Sequence, residues 1–414
     1  MSSPPDQSRG LGFHEFVALA AALMATQAIA IDAMLPALPT IVQALQVSSA
    51  NRGQWVITAY VTGVGIGQLF WGLISDRFGR RPVLLAGLAV YALAATLCAL
   101  SANFTALLIW RLLHGLAAAS LVVTRSVIRD RYSGRHMARV MSLTFIVFLM
   151  VPVIAPSLGQ LALLVLAWRS LFNVFALFGA LVWVWALLRL PETLHPEYRL
   201  TLTGAHISGA VRRVATDRAS LCYTLAMTVM IGSLLAYLGM MPQIFAKVFR
   251  RATLMPSIFA LCAVGMGLAS LLNSRIVERI GMRRISHAAL LTFIAAAAVH
   301  VLVAVLGLER LWTFVVLQAL TMASFSLAVS NFGAMAMEPI GAVAGIGAAL
   351  QGCATTAGGA LVGALIGRQF HDSTATLAVG TLGCGLASLG FVLLAERGRL
   401  FRPHQAAAAL EPGL

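Results

Sequence analysis

The sequence predicts an all-α membrane protein with twelve transmembrane helices, and three observations support this fold class. Of the 414 residues, 60% are hydrophobic and only 10% are charged, whereas soluble chains are usually about 25% charged. Apolar runs near the roughly 20 residues that cross a bilayer recur along the whole chain. The sequence also lacks the short alternating segments that a membrane β-barrel requires.

The apolar runs fall into two sets of six. The longest polar connector, at 191–217, contains PETLHPEYR and RRVATDR. It divides the chain into a first bundle at 1–190 and a second bundle with a short tail at 218–414. The first run is too long for the hydrophobic region of a signal peptide, so we expect it to be retained as a helix. The expected spans are 14–38, 53–75, 82–101, 104–128, 137–161, 168–190, 219–243, 253–275, 286–307, 311–335, 342–367 and 374–395.

The basic side chains indicate how the chain lies in the membrane. The formal net charge is +15, and strong positive charge is also typical of nucleic-acid-binding proteins. However, the termini and the even-numbered connections carry 20 Arg residues, against 7 Arg and Lys residues in the odd-numbered connections. Because positive charge is retained on the cytosolic side, we expect cytosolic termini and a cytosolic connector. The predicted partner is the lipid of a bacterial inner membrane and not nucleic acid.

Motifs for enzymatic or metal chemistry are missing from the sequence. The five Cys residues lie in apolar runs without a CxxC pair, so neither a disulfide framework nor a zinc site is expected. The sequence has no GxxxxGK[ST] loop for ATP and neither an HExxH nor a GxSxG motif. We therefore expect a protein that is not an enzyme and that needs neither a metal nor a cofactor.

An internal repeat relates the two sets of apolar runs. GLISDRFGRR, at 72–81, aligns with SRIVERIGMR, at 274–283, and each copy follows the second run of its set. The alignment pairs Asp76 with Glu278. Duplicated halves are typical of transporters with a binding site near the bilayer midplane. We therefore expect two pseudo-symmetric six-helix bundles around such a site.

The repeat and three further motifs resemble the major facilitator superfamily, and within it the twelve-span drug:proton antiporters. RLLHG, at 111–115, is similar to the buried-arginine motif of helix 4. VPVIAPSLGQ, at 151–160, resembles the antiporter motif of helix 5, although Ala155 stands where a central Gly is usual. IDAMLPALP, RSVIRDRY, LPETL and NFGAMAMEPIGAVAG look like segments of the Bcr/CflA subgroup, the bicyclomycin and chloramphenicol resistance transporters.

The resemblance implies a monomeric exporter of small amphipathic compounds that takes up protons in exchange. Its two bundles would rock about a central site. A dedicated metabolite exporter or a proton-driven uptake symporter would share this fold and differ in substrate or direction. A transporter-like receptor and a membrane-embedded enzyme are the alternatives from other functional classes, and a measurement of substrate flux separates them.

Asp32 is an acidic residue near the end of an otherwise apolar run. A charged group deep in a span costs several kcal/mol, so it normally faces a cavity or a partner. At 1.5 Å per residue, Asp32 and Arg111 both lie about 10 Å below the expected outer ends of helices 1 and 4. We hypothesise that Asp32 carries the transported proton in a water-filled cavity beside Arg111. The alternatives are a static Asp32–Arg111 ion pair and direct binding of an anionic or polar substrate group by Arg111.

The repeated loop predicts a conformational role. In the first copy, Gly72 permits close helix approach and Gly79 suits a tight turn. The resemblance implies that the charged residues of this loop latch the two halves together on the cytosolic side of the outward-facing state. A loop that only sets the membrane orientation is the alternative. The expected latch comprises Gly72, Asp76, Arg77, Gly79, Arg80, Glu278 and Arg279.

Glycines at every fourth position predict close helix packing in two further places. Gly63 and Gly67 lie in helix 2, and Gly359, Gly363 and Gly367 lie in helix 11. Such faces let membrane helices approach closely. Because helices 2 and 11 meet in the superfamily, we expect a sliding contact between the halves there. The alternative is close packing without motion.

Helix 5 and a group of membrane-depth side chains complete the candidate site. Pro152, Pro156 and Gly159 should bend helix 5, since Pro removes a backbone hydrogen bond, and the resemblance implies a role in coupling and leak prevention. A static kink is the alternative.

Adaptable Met and occasional polar side chains suit a promiscuous small-molecule site, although each is also compatible with ordinary packing. The candidate cavity residues are Tyr60, Gln68, Arg125, Met227, Met230, Tyr237 and Asn331.

Overall fold

The computed structural model describes residues 11–132, 134–194, 197 and 204–401. Within these ranges the chain is helical and has no β-strand, and eleven helices are long and apolar enough to cross a membrane. A further helix has a described apolar segment, Val153–Ala162, that is shorter than a span. The helices are α1 Phe13–Ala44, α2 Asn51–Phe78, α3 Arg80–Ala99, α4 Phe104–Arg131, α5 Gly134–Ala162, α6 Trp168–Arg189, α7 Arg218–Val248, α8 Ala252–Ile280, α9 Met282–Val305, α10 Leu311–Ile340, α11 Ile346–Gly367 and α12 Ala375–Ala395.

Helix α1 is interrupted next to its acidic residue. Its regular part ends at Asp32, a 3-10 turn follows at Leu35–Ala37, and a second segment continues to Ala44. Pro36 and Pro39 stand in the first turns of the two later segments, where a missing N–H breaks no helical bond. The predicted end of helix 1, near residue 38, was therefore wrong, and Asp32 lies farther from the last residue of α1 than the sequence suggested.

The turn after the second helix of each set has the same backbone conformation. Gly79, between α2 and α3, has φ +105°, and Gly281, between α8 and α9, has φ +89°. These values strain any residue that carries a Cβ. The tight turn predicted at Gly79 is thus confirmed, and the repeat reproduces it at the aligned position.

Helix pairing in the first six helices recurs in the last six. Helix α1 packs on α5, α2 on α4, and α3 on α4 and α6. Correspondingly, α7 packs on α11, α8 on α10, and α9 on α10 and α12. The two sets meet along α2 and α11, along α5 and α8, and where the outer part of α1 approaches α7. The contact between helices 2 and 11 was implied by the resemblance to the superfamily.

The connector between the sets contains a helix that the sequence did not reveal. This helix, Gly204–Thr216, packs against α7 and against the part of α11 that begins that span. Val214 supplies a buried apolar side chain, while Arg212 and Arg213 remain exposed. The polar composition of the connector gave no sign of this helix, because a surface helix needs only one apolar stripe and is otherwise polar.

Candidate functional site

The guanidinium group of Arg111 joins three helices in the first set. Arg111 is fully buried in α4. Its Nη2 donates to the carbonyl oxygen of Ala30 in α1 at 3.2 Å, and its Nε donates to that of Val56 in α2 at 3.1 Å. The ring of Tyr60 lies 4.3 Å below the guanidinium carbon. The arginine therefore stabilises the backbones of α1 and α2 against α4.

His114 completes the surroundings of this arginine. The Arg111 Nη1 lies 3.3 Å from His114 Nδ1. Because a guanidinium group only donates hydrogen bonds, Nδ1 must accept, and the ring is the neutral tautomer with its proton on Nε2. The ring packs between Tyr60 and Tyr91, at centroid distances of 5.1 and 4.2 Å. Sequence reasoning missed His114, although its i+3 spacing from Arg111 places both on one helix face.

Asp32 does not pair with Arg111. The residue is 6% exposed, and over the described ranges its carboxyl group makes neither a hydrogen bond nor an ion pair. The static ion pair that the sequence left open is therefore not the arrangement in this conformation. The two residues are linked through the backbone instead, because Ala30 lies two residues before Asp32 in the same helix. The role of Asp32 as a proton carrier stays a prediction.

The antiporter motif of α5 touches α1 directly after Asp32. A Cβ atom added to Gly159 would overlap the carbonyl oxygen of Ala33, so the glycine allows the two backbones to approach. The α5 helix continues through the positions of Pro152 and Pro156, and Pro156 is buried. The side chain of Pro152 lies outside the described part of the chain. The predicted bend stays a prediction, while the contact of Gly159 is new.

The two helix sets are in contact at the end where α2 begins and α11 ends. The amide of Gln54, at the start of α2, is buried and donates to the carbonyl oxygen of Gly367 at 3.4 Å. The Asn51 amide donates to the carbonyl oxygens of Arg368 and Phe370, at 3.3 and 2.8 Å. These bonds join the start of α2 to the end of α11. The two sets are therefore closed against each other at this end, which the distribution of basic side chains predicts to be the outer side and which we call the outer side.

Four of the candidate cavity residues are packed into the protein in this conformation. Tyr60 is buried and its hydroxyl group donates to the Gln27 carbonyl oxygen at 3.1 Å. Met230 and Tyr237 are buried, and Tyr237 stacks on an aromatic ring of α8. The Asn331 amide donates to the Asn273 side chain at 2.9 Å. These four contact residues of their own set in this conformation, and their role in binding a substrate stays a prediction.

The other three candidates are more accessible. Gln68 is half-buried and its amide oxygen faces α11 across the contact between the sets. Met227 is half-buried, and its sulfur accepts a hydrogen bond from Gln351 at 3.3 Å. Arg125, in the second segment of α4, is exposed. Their role in binding a substrate remains a prediction.

The glycines that were expected to slide between α2 and α11 mostly face other helices. A Cβ atom at Gly63 would overlap backbone of α4, and one at Gly67 would lie 2.5 Å from a side chain of α4. Gly359 and Gly363 lie against α7 in their own set. Only Gly367 faces α2, where it meets Gln54. This part of the prediction was wrong, because the fourth-residue spacing does not identify the partner helix.

The close approach between the sets uses a glycine that the sequence did not single out. A Cβ atom at Gly65 would lie 2.5 Å from the backbone nitrogen of Ala357, within a π-helical turn at Ala354–Gly358. Gly65 lies two residues from both Gly63 and Gly67, which is about 200° around the helix. The two sets therefore meet on the face of α2 opposite to the predicted one.

Substituting Gly65→Ala should impair the contact between the sets. Overpacking against backbone costs about 1–3 kcal/mol, and we expect the loss in thermal stability of the purified protein. Gly72→Ala is the matched control on the same helix, because a Cβ atom there would meet nothing within 4 Å. Equal stability of the two variants would contradict the assignment. The open space at Gly72 also corrects the expectation that this glycine permits a close approach.

The loop signature forms a charge cluster within the first set. Arg80 is buried, its Nη1 bonds Asp76, and its Nε donates to Asp130 at 3.0 Å. Glu192, after α6, accepts from the backbone N–H groups of Arg80 and Arg81, at 2.9 and 3.2 Å. Asp76 and Asp130 belong to the first set, and Glu192 lies at the start of the connector that follows it, so none of these partners belongs to the second set. The latch between the halves was predicted for the outward-facing state, so it stays a prediction in this outer-closed structure.

The remaining charged residues of the expected latch are exposed. Arg77 lies with its guanidinium carbon 5.4 Å from the ring of Phe78. Glu278 and Arg279 are exposed in the second copy. Among the described residues none of the three has an ion pair, so they do not connect the sets here.

A corresponding cluster lies in the second set. The Arg283 side chain donates to Glu396 at 2.9 Å and to Glu338 at 3.5 Å. The Tyr223 hydroxyl group donates to the same carboxylate of Glu396 at 2.6 Å. Burial by itself would raise the pKa of Glu396, but the hydrogen bonds from Tyr223 and Arg283 hold that pKa below its ordinary value.

This cluster should make the second set sensitive to acid. A carboxyl group with a lowered folded-state pKa contributes stability above its ordinary value, about 4.3, and loses that contribution as the pH falls through the folded-state value. Glu396→Gln should therefore reduce thermal stability at neutral pH, by about 2 kcal/mol for the lost charged hydrogen bond, and should flatten the acid limb of the stability curve. An unchanged acid limb would contradict this role of Glu396.

Comparison with known proteins agrees with this architecture. A family model described as Major Facilitator Superfamily matches residues 18–364. The chain is 31% identical to the uncharacterized MFS-type transporter YdgK of Bacillus subtilis, over 83% of this chain and 86% of that protein. It is 29% identical to the bicyclomycin resistance protein homolog of Haemophilus influenzae, over 89% and 92%. The fold is similar to the crystal structure of the nucleoside transporter NupG, with a TM-score of 0.71 and 13% sequence identity. The superposition includes 94% of this chain and 100% of the NupG chain.

Proposed function

The chain belongs to the Major Facilitator Superfamily of membrane transporters, and on this premise we propose that it exports small amphipathic drugs in exchange for protons. The observation that carries the proposal is the buried carboxyl group of Asp32, which has no hydrogen bond or ion pair among the described residues and lies two residues after Ala30, whose carbonyl oxygen Arg111 binds. The similarity to a bicyclomycin resistance protein homolog favours drugs as substrates. This places the protein among transporters and not among enzymes.

Membership of the superfamily also supports a proposal for how the chain crosses the membrane. We propose twelve spans in two bundles, at 1–190 and 218–414, with both termini and the 191–217 connector in the cytosol of a bacterial cell. The 29 residues of α5 would reach about 43 Å, enough to cross a hydrocarbon core of about 30 Å. The repeated turns at Gly79 and Gly281 and the recurring helix pairing support two related halves. We expect the monomer to be the working unit.

Transport would proceed by alternating access. In the outer-closed conformation, a drug enters from the cytosol, and Asp32 releases its proton to that side. Separation of the Gln54–Gly367 contact then opens the outer side, where the drug leaves and Asp32 takes up a proton. Arg111 keeps α1 positioned throughout, because its donors are engaged with backbone carbonyl oxygens and not with Asp32.

The proton gradient supplies enough free energy for this exchange. One elementary charge that crosses the membrane gains about 2.3 kcal/mol per 100 mV. At a potential somewhat above that value, one proton sustains a drug gradient on the order of a hundredfold.

Everted membrane vesicles test the proposal directly. Respiration acidifies their lumen, and a drug added outside reaches the cytosolic face of the protein. We expect each transported drug to release luminal protons, seen as recovery of a quenched pH-sensitive dye, and to accumulate in the lumen. A protonophore should abolish the accumulation. Drug binding without flux would indicate a receptor, and co-directional movement of drug and protons would indicate a symporter; either result would overturn the antiport proposal.

A further inference from the structure

A cavity of about 410 Å³ opens on the outer surface where the two helix sets meet. It lies beside the outer contact that Asn51 makes with the end of α11. The first set supplies residues from the start of α2 and the turn before it, and the second set supplies the residue that follows α11. The lining residues are Ser49, Asn51, Arg52, Trp55 and Arg368.

The lining chemistry favours an anion. Two guanidinium groups, an indole, an amide and a hydroxyl group line the cavity, and no carboxylate does. In the part of the chain that the structure describes, neither Arg52 nor Arg368 forms an ion pair, and both are exposed. The planar fork of an arginine matches the oxygens of a phosphate group.

Existing contacts position the guanidinium group of Arg52 and the backbone of Arg368 before a ligand arrives. The guanidinium carbon of Arg52 lies 5.5 Å from the ring centre of Phe104, at the start of α4. The backbone of Arg368 is fixed by the hydrogen bond from Asn51. Trp55 is half-buried, and an indole in this position suits the boundary between membrane and water. Preorganisation of this kind reduces the entropy that a ligand must lose.

We propose that this cavity binds a phosphate-bearing anion, and that the bound anion stabilises the outer-closed conformation. The anion is either free phosphate or the headgroup of an anionic phospholipid. Because Arg52 and Arg368 belong to different sets, one anion contacts both only while the outer ends are together. A ligand that binds one conformation better shifts the equilibrium towards it.

Thermal unfolding of the full-length protein in detergent tests the site. Phosphate should raise the melting temperature relative to chloride at equal ionic strength. Arg52→Gln and Arg368→Gln should each weaken the apparent phosphate affinity about tenfold, as expected for the loss of a charged hydrogen bond. Arg52→Lys and Arg368→Lys retain the charge and should keep part of the affinity. Arg251→Gln removes an exposed charge from the same face, outside the cavity, and should bind as the wild type does.

A disulfide-trapping experiment tests the conformational part. In a protein with Gln54→Cys and Gly367→Cys, phosphate should speed disulfide formation across the outer contact, and Arg52→Gln should remove the acceleration. The same measurement in nanodiscs, with and without phosphatidylglycerol, identifies the source of the anion. Acceleration by that lipid alone supports a headgroup, and acceleration by phosphate supports the free ion.

Three results would overturn the inference. The first is the absence of any response to either phosphate or phosphatidylglycerol. The second is an equal loss of affinity in Arg251→Gln, which would indicate general surface charge. The third is binding without faster trapping, which would remove the link to the outer-closed conformation. None of these measurements uses drug transport, so their failure would leave the export proposal standing.

Discussion

Replacing Asp32 with asparagine should abolish proton-driven drug accumulation while the protein still folds and binds drug. Asparagine has nearly the same volume and cannot release a proton, so the coupling step is lost. Asp32 makes neither an ion pair nor a hydrogen bond within the described residues, and the substitution therefore leaves no partner unsatisfied. We expect the accumulation ratio in energised vesicles to fall from about a hundredfold towards one, with exchange of labelled for unlabelled drug preserved.

Asp372→Asn is a matched control for this experiment. Asp372 lies on the outer face, where it pairs with Lys247 at 2.9 Å and its side chain is 63% exposed. Its φ of 52° is a conformation that asparagine tolerates well. The control should accumulate drug as the wild type does. If Asp32→Asn still built a gradient of every substrate, Asp32 would not be the proton carrier.

Arg111→Lys should also abolish export, and for a structural reason. A lysine keeps the charge, but its ammonium group cannot reproduce the planar fork that reaches Ala30 and Val56. Each hydrogen bond from a charged donor contributes about 1.5–3 kcal/mol, so we expect the free energy of unfolding to fall by about 2–4 kcal/mol. Arg125→Lys, at an exposed position of the same helix, should unfold as the wild type does.

The substrate dependence of Arg111→Lys distinguishes two roles for the arginine. If Arg111 positions α1 and α2, binding of cationic, neutral and anionic drugs should weaken to a similar extent. If Arg111 instead contacts an anionic or polar substrate group, only those drugs should be affected. The engaged donors favour the first result. A selective loss of anionic drugs would contradict the positioning role.

Helix α2 shows how far sequence reasoning reaches. The glycine spacing correctly indicated close packing at Gly63 and Gly67, and the resemblance correctly indicated that α2 meets α11. The inference that Gly63 and Gly67 form the contact with α11 was wrong, because these two glycines face α4 and Gly65 faces α11. In a soluble helix the apolar stripe would have marked the buried face. In a membrane helix both the lipid-facing and the protein-facing sides are apolar, so the pattern of apolar residues does not identify the helix that packs against each side.

The surroundings of Arg111 show the same limit. Its burial followed from the cost of a charge in lipid, which the structure confirms. The partners did not follow, because backbone carbonyl oxygens leave no trace in a sequence. The expected neighbour was therefore an acid, while the structure provides two carbonyl oxygens and the neutral ring of His114.

The sequence by itself indicated the membrane class, the internal repeat and the tight turn at Gly79, because hydropathy and backbone strain are local properties. It also singled out Asp32, since a charge within an apolar run stands out without any neighbour. Only the tertiary structure decided that Asp32 does not pair with Arg111, that Gly65 brings the sets together, and that Arg52 and Arg368 line the same cavity. These three features depend on distances between helices that are far apart in the chain. Helix packing determines those distances, and the order of residues in the sequence does not reveal them.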